Sequence, residues 1–194
     1  MSGHKPVELY VKPLVKVYLL CARLPSKYLV QEMRSERTRE VRQWTGDRRV
    51  IASRIEGIRA KAYEMLRRCF AYVVEYGTWI AVTDEAVEEA RRVWQWVVEE
   101  LKKANVDKAK PGIALEKRYE IDAVPIYLEP EHAKKLLIAA IAHLSKDAEE
   151  LEKRIREAEQ KRKRGELNKL TKRYTDVKNL LDKFKNFYSN IEKM

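Results

Sequence analysis

The stretch LLIAAIAHLSKDAEELEKRIREAEQKRKRGELNKLTKRYTDVKNLLDKFKNFYSNI, residues 136–191, decides how the rest of the chain is read. Leu137, Ile141, Leu144, Ala148, Leu151, Ile155 and Ala158 alternate at spacings of four and three. Leu167, Leu170, Tyr174, Val177, Leu181, Phe184, Tyr188 and Ile191 do the same. Each run is a heptad seam on a long helix. The two runs are out of phase, because the first would continue onto Arg162 and Gly165. A phase slip at a glycine predicts a reversal, so the reading is an antiparallel helical hairpin turning near Arg164–Glu166. The alternative is one long kinked helix that pairs with another subunit. Five acid-first pairs at i, i+4 run along the first arm: Glu149–Lys153, Glu150–Arg154, Glu152–Arg156, Glu157–Lys161 and Glu159–Lys163. Such pairs support a helix from its own surface.

Upstream of the hairpin the chain mixes both periods. Val7 to Leu24 is apolar and rich in β-branched residues, and reads as one or two strands, with a buried helix from Pro13 as the alternative. Pro25–Ser26 opens a helix that ends at Thr45–Gly46. Asp47 caps the next, whose stripe is Ile51, Ile55, Ile58, Ala62, Met65, Cys69, Val73 and Tyr76, ended by Gly77. Thr78–Val82 is a short apolar connector or a strand. A third helix carries Val87, Ala90, Trp94, Val97 and Leu101. Lys117 to Leu128 alternates like a half-buried strand, and Glu129–Pro130 starts the hairpin's first arm. The expected fold is therefore α+β and predominantly helical. A body over residues 1–129 holds a small sheet covered by long helices, and residues 130–194 form the hairpin, packed on the body or projecting from it.

The chain has 194 residues, with 41 Lys+Arg against 30 Asp+Glu, a formal net charge of +11. Charged residues make up 37%, well above a typical share of ~25%. Asn and Gln are scarce while Lys, Arg and Glu abound, the balance of hyperthermophile proteins. Apolar runs are too short to cross a bilayer, and no N-terminal run resembles a secretory signal. Cys21 and Cys69 form no CxxC pair and are expected to be small core residues. The composition thus points to a cytoplasmic protein that does not enter a membrane.

Catalytic signatures are missing from the sequence. His132 and His143 are eleven residues apart on one helix, about 16 Å along its axis, too far for one metal. Walker, GxGxxG, GxSxG and HExxH patterns are not found. Glu120, Asp122, Glu129, Glu131 and His132 form the one enzyme-like cluster, and they also read as a strand's polar face and a helix's acidic first turn. No enzyme activity and no cofactor is expected.

The charge pattern says more. Residues 23–68 carry 13 basic and 6 acidic groups, and residues 153–178 carry 11 and 4. Positive charge in two blocks favours a polyanionic partner. In the first block Arg42, Arg48 and Arg49 lie beside Trp44, and Arg54, Lys61 and Arg68, seven apart, extend a ridge along the following helix. In the second, Lys161, Arg162, Lys163 and Arg164 lie at the hairpin tip. Arginine suits bidentate phosphate contacts. The expected function is non-enzymatic nucleic-acid binding through backbone contacts by Arg42, Arg48, Arg49 and Lys161 to Arg164. The alternative is a scaffold protein whose coiled-coil hairpin mediates homo-oligomerisation or binds a protein partner.

Overall fold

The computed structural model describes residues 13–25, 48–104, 106 and 115–193. Among them are four strands and four long helices. In chain order these are β1 (Val15–Ala22), α1 (Arg48–Leu66), β2 (Ala71–Val73), β3 (Thr78–Ala81), α2 (Glu85–Lys103), β4 (Ile121–Leu128), α3 (Pro130–Gln160) and α4 (Arg164–Glu192). The helix expected between Pro25 and Thr45 falls outside the described residues.

The sheet is antiparallel in the order β2-β3-β1-β4. β1 and β4 pair along their full length, from Val15↔Leu128 to Ala22↔Ile121. Side chains alternate across a strand, and here each side meets its own helices. Tyr18, Ala81, Ile121 and Ala123 face α1 and α2, packing with Ile55, Ile58, Ala62, Leu66, Val93, Val97 and Leu101. Val15, Val17, Ala71, Val73, Ile80 and Val82 face the hairpin, packing with Leu137, Ala140, Leu144, Leu181 and Phe184. The two middle helices cover one side of the sheet, as expected. The other side is covered by α3, with α4 lying along it, so the sheet-proximal part of the hairpin belongs to the core.

Three boundaries differ from the sequence reading, each for a local reason. The helix expected to run to Tyr76 stops at Leu66. Phe70–Val74 is aromatic and β-branched, which suits a pleated, half-buried surface. It pairs with β3 through Tyr72↔Trp79 and Val73↔Thr78. Gly77 does end an element, a 3₁₀ turn over Val74–Tyr76, and takes the left-handed conformation with φ 60°. The second difference is at Lys117, where a strand was expected. Leu115–Arg118 is a single helical turn, and β4 begins at Ile121. The third is the hairpin turn, which lies at Lys161–Lys163, just before the glycine that was expected to make it. Pro130 sits in the first turn of α3, after an extended Glu129, as the restricted residue before proline requires.

Candidate nucleic-acid interface

The hairpin tip is built from backbone hydrogen bonds. The Arg162 N–H donates to the Glu159 carbonyl at 3.0 Å, and the Lys163 N–H to the Ala158 carbonyl at 3.0 Å. With Arg162 left-handed at φ 52°, this is a Schellman close, normally the place of a glycine. The Leu167 N–H then donates to the Lys163 carbonyl at 3.0 Å, so α4 starts without a spacer. Lys161, Arg162, Lys163 and Arg164 are all exposed. Only Lys163 meets a carboxylate among the described residues, Glu166 at 3.2 Å. Of the five expected acid-first pairs, Glu152–Arg156 alone closes, at 2.8 Å. Each such pair contributes only about 0.2–0.5 kcal/mol, too little to order two long side chains in water. The tip cations are thereby left open to solvent.

The first basic block is only partly in view. Arg42 lies outside the described residues. Arg48 and Arg49 open α1, and their side chains lie outside them too. The expected ridge of Arg54, Lys61 and Arg68 is broken. Arg54 and Lys61 line a cavity of about 320 Å³ between α1 and α2, together with Trp96 and Lys103. Arg68 follows the end of α1 and turns to Asp176 of α4, at 3.8 Å. Trp96, off its helix's main stripe, packs partly buried against the core.

A different row replaces that ridge. Arg59 and Tyr63 share one side of α1, and Arg67 follows one turn on, just past the helix end, where its N–H still donates to the Tyr63 carbonyl at 3.0 Å. Tyr63 stacks on Trp79 of β3, centroids 6.0 Å apart and planes at 25°. Trp79 meets its cross-strand partner Tyr72 at 5.3 Å, and Tyr72 and the His143 ring of α3 form a T-shaped pair at 5.8 Å. The Arg59 guanidinium lies 5.7 Å over Tyr63, and Arg67 lies 5.7 Å over Trp79. All four rings are half-buried and both arginines are exposed. Sequence reasoning missed this row. The one signal available to it is Tyr72, which stands off the apolar stripe of its segment.

The acidic cluster does not assemble. Glu120 and Asp122 lie at the start of β4, and Glu129, Glu131 and His132 lie beyond its end. At about 3.4 Å per residue, the strand holds the two groups roughly 24 Å apart. Asp122 instead accepts a hydrogen bond from the Ala123 N–H at 2.8 Å. Cys21 is exposed, contrary to expectation, near the end of β1 opposite the exposed Asp122 of β4. Cys69 is half-buried, and burial pushes its thiol up, which disfavours the thiolate. It lines an open polar cavity of about 530 Å³ with Arg68, Glu89, Asp176 and Lys183.

Further ion pairs join separate elements. Lys16 of β1 donates to Asp84 at 2.8 Å, and the Tyr18 hydroxyl donates to the same carboxylate oxygen. Both hydrogen bonds hold Asp84 below its usual range. Lys183 of α4 donates to Glu85 at 2.7 Å, which lowers Glu85 and raises Lys183. Among the described residues no helix is long and apolar enough to cross a membrane. In comparisons with known proteins the chain matches no family, and no curated protein or solved structure is significantly similar to it.

Proposed function

We propose that the protein is a non-enzymatic nucleic-acid-binding protein that grips the phosphate backbone with its basic surface. The supporting observation is the hairpin tip. Four consecutive exposed cations sit on a backbone-locked turn, and three of them meet no carboxylate among the described residues. A cation without a carboxylate partner exchanges only water and small counterions for a phosphate, and releasing those counterions drives binding. Arg42, Arg48 and Arg49 belong to the same proposal as a second contact region. Among the described residues no base-reading module accompanies the tip, so the proposed contacts position a strand without specifying its sequence.

The test is fluorescence anisotropy with labelled single- and double-stranded DNA and RNA over a salt series. Binding should weaken linearly in log–log form. Neutralising Lys161, Arg162 and Arg164 together should lower the slope by roughly 2–3. Absence of binding to all four probes at low salt sinks the proposal. The scaffold alternative then takes its place, with light scattering and partner capture on the hairpin as its measurements.

A further inference from the structure

We infer that the row formed by Arg59, Tyr63, Arg67, Trp79 and Tyr72 is a base-stacking platform for a single-stranded segment of nucleic acid. This rests on the nucleic-acid reading and adds a second kind of contact to it. Tyr63 and Trp79 stack on each other within 25° of parallel, so their outer faces lie at opposite ends of the pair and offer one stacking position each. Tyr72, tilted by 46° against Trp79, closes the row as a wall. Each outer face is roofed by a guanidinium, Arg59 on Tyr63 and Arg67 on Trp79. Neither arginine meets a carboxylate among the described residues, so both charges are available to a polyanion.

Magnitudes favour exchanging the roof for a base. An exposed cation–π contact is worth roughly 2- to 5-fold in an equilibrium constant. A base stacked on an aromatic ring is worth roughly 5- to 100-fold in affinity. The displaced guanidinium then reaches the phosphate attached to the base it made room for. Spacing selects the strand type. The two outer faces are held apart by the stacked pair itself, whose centroids are 6.0 Å apart. Bases within a duplex rise by about 3.4 Å and show only their edges. Bases seated on this row must be unstacked from one another, which a single strand allows and a duplex does not.

The test compares a short oligo(dT) with an abasic strand of equal length, which keeps every phosphate and removes every base. The oligo(dT) should bind at least about 5-fold tighter. Trp79→Leu should abolish that preference and leave abasic affinity unchanged. Because Trp79 also packs against the core, Tyr63→Leu on the helix surface serves as a second variant, with circular dichroism confirming both folds. Equal affinity for the two strands, or a preference intact in both variants, overturns the platform while leaving the backbone-binding proposal standing. Failure of both strands to bind at low salt overturns the two together.

Discussion

The two ends of the C-terminal hairpin share one seam and differ in what lies behind it. At the proximal end Ala133, Leu137, Ala140 and Phe184 are fully buried, pressed between the opposite arm and the sheet. At the distal end Leu151, Ala158 and Leu170 are buried against each other, while Ile155, Leu167 and Tyr174 remain half-exposed. The first end is domain core. The second is a pair of helices held by a narrow seam and a locked turn. The basic tip sits on the part of the molecule where packing asks least of the surface.

The largest expected effect tests that difference directly. Phe184→Ala should cost about 3–5 kcal/mol in urea unfolding, because a ring is removed from a site walled on all sides. Leu170→Ala should cost about 2 kcal/mol, the low end for such truncations, since water reaches the gap. Equal losses would mean that the two ends are equally core. The tip should respond in the opposite direction. Arg162 adopts a left-handed conformation that costs a side-chain residue about 1 kcal/mol. Arg162→Gly should therefore raise the melting temperature, and a loss of stability would show that the Arg162 side chain holds the turn.

A smaller gain is expected at Gly165, in the first turn of α4, where an added Cβ would meet only open space. Gly165→Ala should add about 0.5 kcal/mol of helix stability. The smallest effect is the Glu85–Lys183 strut at the proximal end. Glu85 lies below its ordinary 4.5, so its contribution is present above pH 4.5 and lost as pH falls through the lowered value. Lys183 lies above its ordinary 10.5, so its contribution is present below pH 10.5 and lost as pH rises through the raised value. The melting-temperature difference between wild type and Glu85→Gln should be flat between those limits and shrink outside them. High salt should reduce it throughout.

What the sequence revealed, and what it hid, follows the same division. The hairpin was legible because its two seams are long and strictly periodic. The turn was misplaced by a few residues because Gly165 looked like the reversal, while backbone bonding around Arg162 made it. The overrun of α1 has a sharper cause. Cys69 and Val73 fall on a helical spacing by coincidence, and a strand of three residues is too short to show its own period. The aromatic row could not be read at all. Tyr63, Tyr72, Trp79 and His143 come from four elements, and only the Tyr72↔Trp79 register and the helices packed around it bring them together. The Glu120 to His132 cluster failed for the converse reason. Neighbours in sequence are carried apart by an extended strand between them.

The strand order also sets a timetable for folding. β1 is central in the sheet, yet its longest partner is β4, and its first residue pairs with the last residue of that strand. The α3–α4 contacts, by comparison, close across the short turn at Lys161–Lys163. Closing a long loop carries an entropy cost before any contact rewards it. The hairpin should therefore acquire amide protection early in pulse-labelled refolding, and β1 late. On a ribosome the order is constrained further, because one side of β1 waits for its neighbour until Leu128 has left the exit tunnel. For that interval one edge of the most apolar strand of the sheet is without its partner, and β3 alone pairs with it.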